Sequence, residues 1–447
     1  MFAAMFGSVL TVGNGVDASA VLDVAADSAG NSYVAGVFRG VVDFDLATVR
    51  ADGTDILAPR GAADAFVAKY APDDSLVWVR SMGGDSVNSE YARRLAVDAS
   101  GAVYVAGEFL ESADFGTTTL MSAGGADGFV TKLDAAGNFL WARQWGNAAY
   151  DSARAIDVDA LGNVYVLGGQ ASGQYDIKKF SPIGGSNWSR QIPTRSPIAN
   201  SDLAVNADGQ VFVVGSFVGT VDFDPSVKAK YVSSGAGRGA FALKLDTNGK
   251  FKWVSAFLGE SGSSQNSAAA TSIALDDGGN VVVGGYFLGT VDFNPGNPTA
   301  YLTTHSGGFI TKLNSQGGLA WASPLLADAT TFVYGLNTDA SGGIYATGTY
   351  AGTVDFDPGV GVFSRTSVGS HDMFVLKLSS AGTFVWTETF GASSDDVSFG
   401  IAISTNGDVL TGGYYREPFD INSDPLVTQL LPGGTGSRGL RLRLRQY

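Results

Sequence analysis

Residues 156–166 read Ile156-Asp-Val-Asp-Ala-Leu-Gly-Asn-Val-Tyr-Val166, which is an alternating apolar segment, a turn ending in Gly162 and a second alternating segment. Alternation with a period of two predicts β-strands. An Asp followed three residues later by Gly is typical of a type I turn that ends in a left-handed residue. This stretch therefore predicts a tight β-hairpin.

The same hairpin pattern recurs seven times along the chain. Its copies begin at Leu22, Leu95, Ile156, Leu203, Ile273, Leu336 and Ile401. In six copies a second hairpin follows, in which a Lys and a Trp are nine residues apart: Lys69/Trp78, Lys132/Trp141, Lys179/Trp188, Lys244/Trp253, Lys312/Trp321 and Lys377/Trp386. Four strands per repeat without helices predict an all-β, seven-bladed β-propeller that forms a single domain over residues 1–447.

The last repeat ends after its third strand, in which Arg443 occupies the position of the repeated Lys. Residues 2–7 match residues 141–146, with Phe2 in place of Trp141. We therefore predict that a strand at about residues 2–6 completes the last blade beside about residues 438–445. Such pairing would close the ring and remove an open sheet edge.

The composition excludes several classes of protein. The 447 residues include 61 Gly and no Cys, so disulfides and thiolate chemistry are excluded. A net charge of −15 disfavours nucleic acid as a partner. No apolar run is long enough to span a membrane, and no signal peptide is visible in this chain. We expect a monomer.

Long links between the second and third strands of most repeats begin with a shared sequence motif, such as Asp222-Phe-Asp224. In extended backbone, residues two apart point the same way, so paired carboxylates could hold Ca²⁺, with no other cofactor indicated. The alternative is that Phe anchors the link and Asp caps a turn. The candidate metal ligands are Asp43, Asp45, Asp222, Asp224, Asp292, Asp355 and Asp357.

A second acidic set precedes four of the innermost strands by five residues: Asp17, Glu90, Asp151 and Asp396. These side chains are expected at the rim of the central channel, where they could bind a cation or a hydroxyl-rich ligand. The alternative is that they are solvated loop carboxylates or that they pair with Arg93, Arg94 or Arg154. The repeated Lys and Trp residues are expected to pack, with the Lys charge paired to a nearby acid.

Three motifs carry a resemblance to a known family: Val158–Val166, the sequence Gly-Thr-Val-Asp-Phe-Asp-Pro at 219–225 and again at 352–358, and Asp372–Leu378 leading to Trp386. They resemble the SBBP (seven-bladed β-propeller) repeat family of bacterial surfaces and secretomes. The resemblance implies a seven-bladed propeller with an extracellular or cell-surface location and no activity generally assigned to the repeat.

Catalytic groups are few in this sequence. His305 and His371 are the only histidines, no nucleophile or metal motif surrounds them, and no catalytic residue is predicted. We therefore favour a non-catalytic propeller that binds a protein or surface polymer through the face carrying the long links. The alternative is a carbohydrate-binding propeller that depends on calcium. A glycan-active enzyme that uses a carboxylate pair is a less favoured interpretation.

Overall fold

The computed structural model describes residues 4–13, 18–45, 53–85, 87–170, 173–197, 201–224, 226, 228–260, 263–295, 299–419, 421, 431 and 436–446. Within these ranges the chain forms β-strands and turns and no helix. The prediction of an all-β protein is therefore confirmed.

The first half of the chain contains strands β1 to β18. Their bounds are β1 Ala4–Val12, β2 Ala20–Ala26, β3 Ser32–Phe38, β4 Val42–Asp43, β5 Ile56–Leu57, β6 Asp64–Tyr70, β7 Leu76–Met82, β8 Tyr91–Val97, β9 Val103–Phe109, β10 Ser112–Asp114, β11 Thr119–Met121, β12 Asp127–Leu133, β13 Phe139–Trp145, β14 Asp151–Val158, β15 Val164–Gln170, β16 Gln174–Phe180, β17 Ser186–Ile192 and β18 Asp202–Val205.

The second half contains strands β19 to β34. Their bounds are β19 Val211–Asp222, β20 Tyr231–Leu245, β21 Phe251–Gly259, β22 Ser267–Leu275, β23 Val281–Asp292, β24 Tyr301–Leu313, β25 Leu319–Ala327, β26 Thr330–Thr338, β27 Ile344–Ala351, β28 Thr353–Asp355, β29 Ser364–Thr366, β30 Asp372–Leu378, β31 Phe384–Phe390, β32 Val397–Ile403, β33 Val409–Tyr415 and β34 Arg438–Gln446.

The strands group into antiparallel four-strand units, each named here by its innermost strand. The β2 unit has the order β2-β3-β6-β7, and the β8, β14 and β26 units repeat this order with β8-β9-β12-β13, β14-β15-β16-β17 and β26-β27-β30-β31. The β18 unit (β18 to β21) and the β22 unit (β22 to β25) repeat it within one larger sheet. The β32 unit is β32-β33-β34-β1.

The innermost strands surround a common channel. Residues of β2, β8, β14, β18, β22, β26 and β32 all line one cavity of about 280 Å³. Each of these strands lies beside the next one along the chain, and β32 also lies beside β2. Antiparallel units arranged around a central channel define a β-propeller type of fold.

The Asp-to-Gly turns form as the sequence predicts. In the first turn the Gly30 amide donates to the Asp27 carbonyl at 3.0 Å, and Gly30 has a φ of 82°. The Asp27 carboxylate accepts the amides of Ala29 and Asn31 and also the Tyr33 hydroxyl, at 2.8 Å. The aspartate therefore fixes both the turn and the strand that follows it.

The repeated Trp residues join neighbouring units, as predicted. Trp78 lies directly across from Lys69, and its Nε1 donates to the Ala135 carbonyl, in the turn of the next unit, at 3.1 Å. A Cβ on Gly137 of that turn would come within 2.7 Å of the Trp78 ring. Equivalent Trp-to-turn hydrogen bonds come from Trp141, Trp188 and Trp253.

The first strand corrects one prediction. Strand β1 pairs with β34, but in a register that places Ser8, and not Phe2, opposite Arg443. The described strand covers residues 4–12, and Phe2 lies outside the described residues. This register lets Val9 pack against the core of the β32 unit, while Leu10 and Val12 pack against apolar residues of the β2 unit. Contacts with two units at once decide the register.

We predict that Gly137→Ala destabilises the protein by roughly 2–4 kcal/mol, because an alanine there is strained at positive φ and also clashes with Trp78. The matched control is Gly407→Ala, whose φ is +88° and whose Cβ would meet nothing within 4 Å, so about 1 kcal/mol is expected. Denaturant unfolding measures both changes. Equal losses would show that contact between the turn and Trp78 does not stabilise the joint.

Candidate functional site

The two ends of each unit differ. Tight turns close β2-β3 and β6-β7 at one end, which we call the turn face, while the long links and the connections between units lie at the other, the link face. The links are themselves β-hairpins: β4-β5, β10-β11, β28-β29 and the extended ends of β19-β20 and β23-β24. Most of the variation between units is therefore on the link face, where binding groups usually lie.

Several links pair with the preceding unit. The end of β21 pairs with β23, and the end of β25 pairs with β28. Gly83 likewise bridges to Asp114, and the Val218 amide donates to the Thr194 carbonyl at 3.0 Å. The links are therefore part of the joints between units, which their sequence alone did not indicate.

The Asp-Phe-Asp motifs form the base of these hairpins. The Asp222 carboxylate accepts the Asp224 amide at 3.1 Å and the Lys230 amide at 2.7 Å, so it spans both ends of the link. Asp292 and Asp355 make the same two contacts, and Asp43 accepts the Asp45 amide. The central rings are buried: Phe44, Phe115, Phe223, Phe293 and Phe356.

The second carboxylate of the motif also accepts hydrogen bonds from backbone amides. Asp224 accepts the Ser226 amide and Asp357 accepts the Gly359 amide. Among the described residues, no three His, Asp or Glu side chains are grouped so that they could hold a metal ion. The geometry supports turn capping, and calcium binding by the links stays a prediction.

If calcium binds these links, millimolar Ca²⁺ should raise the melting temperature above its value in EDTA, because an ion that binds only the native state stabilises it. The double variant Asp224→Asn/Asp357→Asn should show a smaller calcium-dependent rise in melting temperature. Asp277→Asn, at an exposed carboxylate on the turn face, is the matched control and should keep the rise. Scanning calorimetry is the measurement. Identical melting in EDTA and Ca²⁺ would contradict calcium binding.

The second acidic set lies between units. Glu90, Asp151 and Asp396 are almost fully buried, so they are not solvated loop carboxylates, and Asp17 lies outside the described residues. The Glu90 amide donates to the Ala63 carbonyl, next to Asp64 of the preceding unit. The amides of Asp151 and Asp396 likewise donate to the carbonyls of the residues that directly precede Asp127 and Asp372.

These joints hold carboxyl groups with few partners. Both carboxylate oxygens of Glu90 lack a hydrogen-bond partner among the described residues. One carboxylate oxygen lacks a partner in each of Asp64, Asp127 and Asp396. Burial, together with the charge of Asp64, raises the pKa of Glu90 to about 8. Burial, with Asp372 and Glu417 nearby, raises the pKa of Asp396 to about 7. Glu90 and Asp396 therefore favour the protonated form near neutral pH more than ordinary carboxyls do.

Glu90 should make stability depend on pH. Its pKa rises from an ordinary 4.5 to about 8 on folding, so the native state holds an extra proton between these values. The free energy of unfolding should then fall as pH rises from 5 to 8, by at most about 1 kcal/mol per pH unit.

Glu90→Gln should reduce this slope, because the amide does not titrate, whereas other carboxyls of raised pKa, such as Asp157 and Asp396, continue to contribute. Denaturant unfolding between pH 5 and 8 is the measurement, and exposed Glu260→Gln is the control that should keep the slope. Parallel curves for Glu90→Gln and the unmodified protein would show that Glu90 is ionised throughout.

The channel contains three partly buried aspartates that the sequence analysis did not select. The Asp23 carboxylate accepts the Leu95 amide at 2.9 Å, Asp157 accepts the Val205 amide at 2.7 Å, and Asp202 accepts the Ile273 amide at 3.1 Å. Each contact joins one innermost strand to the next. Burial raises the pKa of Asp23 to about 6 and that of Asp157 to about 7.

A separate ionic cluster lies at the channel end nearest the link face. Arg93 and Arg154 both pair with Glu108, which is fully buried, and the Tyr150 hydroxyl donates to the same carboxylate at 2.8 Å. Burial alone would raise the pKa of Glu108, but the two arginines hold it below its usual value. Arg93 and Arg154 are therefore not partners of Glu90, Asp151 or Asp396.

The repeated lysines have the packing role that the sequence predicts. The Lys69 ammonium lies 3.8 Å from the Asp27 carboxylate and 5.1 Å from the centre of the Tyr33 ring. Lys179 and Lys377 make the same two contacts in their own units. Lys312 forms the shortest of these pairs, at 2.8 Å from Asp276.

The arrangement around His371 differs from a catalytic triad. His371 Nδ1 lies 2.9 Å from Asp395, and its Nε2 lies 3.5 Å from the Thr330 hydroxyl. That second distance is longer than the 2.6–3.2 Å or so expected between a nucleophile and its base. The exposed position of the Asp395 carboxylate also differs from the buried acid of a catalytic triad.

Comparison with known proteins finds two curated relatives of low identity. The chain is similar to an uncharacterised WD repeat-containing protein of Acanthamoeba polyphaga mimivirus, with 21% identity over 78% of this chain and 32% of that one. It is also similar to the regulatory protein FlaEY of Caulobacter vibrioides, with 24% identity over 81% of this chain and 40% of that one. The chain thus spans about a third to two fifths of these relatives.

Among solved structures, the WD40 domain of Neurospora crassa Pan2 aligns over 95% of this chain and 89% of that one, with 8% identity and a TM-score of 0.41. No family model matches the chain, so membership of the SBBP repeat family stays a prediction. No helix in the described part of the chain has both the length and the apolar character of a membrane span.

Proposed function

We propose that the β2, β8, β14, β18, β22, β26 and β32 units form a seven-bladed ring that the pairing of β1 with β34 closes. The order of the innermost strands around one cavity supports this arrangement. Closure would also explain why the first strand packs against two units.

We propose that this propeller is a non-catalytic scaffold that binds a protein through its link face. The supporting observation is the position of exposed apolar side chains. Of the sixteen large apolar side chains that are exposed among the described residues, twelve lie on the link face: Val41, Ile56, Val87, Met121, Tyr150, Val218, Tyr231, Tyr301, Leu326, Val360, Val362 and Val368.

The turn face offers a useful contrast, since Leu161 and Ile183 are its exposed large apolar side chains among the described residues. Exposed apolar groups on one face of a soluble protein mark interaction surfaces. The pairing between links and neighbouring units gives that surface a rigid base, which lowers the entropic cost of binding. Similarity to a WD repeat-containing protein and to a regulatory protein is consistent with an interaction role.

The link face should lose its partner when its apolar side chains become polar. Val360→Ser/Val362→Ser changes two exposed side chains of one link, and Leu161→Ser/Ile183→Ser is the matched control on the turn face. We expect the control to retain a specific protein from an extract of the source cells, and the link-face variant to bind it at least tenfold more weakly. Equal retention by both variants would contradict the proposal.

A further inference from the structure

The end of the channel nearest the link face holds a second cavity, of about 200 Å³. Arg93, Arg94 and Arg154 line one side of it, and Tyr334 and Phe399 line another. It shares Arg94, Tyr334 and Phe399 with the larger channel cavity, so these residues lie between the two. The cavity therefore has a cationic wall and an aromatic wall.

The described lining of this cavity includes three guanidinium groups and no carboxylate. Glu108 is the carboxylate that pairs with Arg93 and Arg154, so one negative charge serves two guanidinium groups. Arg94 Nη1 donates to two backbone carbonyls, those of Leu22 at 3.4 Å and Arg93 at 3.0 Å, and neither neutralises it. Two carboxylates, Asp23 and Asp202, interact with its charge from the adjoining cavity. In a chain of net charge −15, three arginines at one cavity are a local exception.

Tyr334 and Phe399 form the aromatic wall of the cavity. Tyr334 lies 5.8 Å from Phe399 and is nearly parallel to Phe332, with an interplanar angle of 3°. All three rings are only partly buried, although apolar rings of this size normally fill a propeller core. The wall therefore has ring surface that a ligand can contact.

We propose that this cavity binds a small organic carboxylate that has a flat or apolar body. Arginine forks bind carboxylates through paired hydrogen bonds, and the rings would pack on the body of the same molecule. The cavity volume restricts the ligand to about the size of a single ring. This site is separate from the protein-binding surface of the link face, so either can fail without the other.

Matched probes test the proposal by isothermal titration calorimetry. Benzoate and benzamide share a ring and differ in charge, as glucuronate and glucose do for a sugar. We expect benzoate to bind saturably and at least tenfold more tightly than benzamide. Preference for benzoate over benzamide would support the site, whereas binding of glucuronate without benzoate would overturn it, because the sugar body is neither flat nor apolar. Absence of saturable binding by either acid would overturn it.

Variants locate the binding. Arg154→Gln and Tyr334→Leu should each weaken binding of the acid at least tenfold, while Lys252→Gln, at an exposed cation on the outermost strand of the β18 unit, should leave it unchanged. If Arg154→Gln unfolds, Tyr334→Leu carries the test, because it changes the ring wall and leaves Glu108 paired. Unchanged affinity in a folded variant would place the ligand elsewhere and overturn the proposal.

Discussion

The packing of a tryptophan ring against a glycine turn in the next unit is the contact on which the rest of the structure depends. Trp78 and Gly137 show its two parts, a ring that leaves no room for a Cβ and an indole N–H that donates to the turn. Arg80 adds a second donor, from Nε to the Gly137 carbonyl at 2.9 Å. A four-strand sheet alone has an exposed apolar face, and this contact fixes how the next sheet covers it. The channel and the link face follow from that fixed spacing.

Most of the fold could be predicted because its determinants are local and repeated. The Asp27-to-Gly30 turn needs one side chain that caps backbone amides and one residue that tolerates positive φ, and both are visible in the sequence. The cross-strand contact of Lys69 with Trp78 follows from a turn of constant length. The register of β1 could not be predicted this way, since it depends on apolar contacts with two units that are far apart in sequence.

The candidate sites were harder to predict because their residues come from different units or occur in only some of the repeats. The position of Glu90 was found, but its partner Asp64 belongs to another unit. A signal was present: in three repeats an Asp lies five residues before the Lys, a Gly lies five residues after the Trp, and an acid precedes the next unit. The cluster of Arg93, Arg154 and Glu108 occurs in one place only, so a search for repeated patterns passes over it.

The joints between units are therefore chemically unequal. Three of them, which follow the β2, β8 and β26 units, enclose acids that favour the protonated form, whereas Gln174, Gly239 and Gly307 take the place of the first acid in the β14, β18 and β22 units. Alkali would therefore place like charges side by side in three of the joints, and the joints without this acid pair escape that particular repulsion.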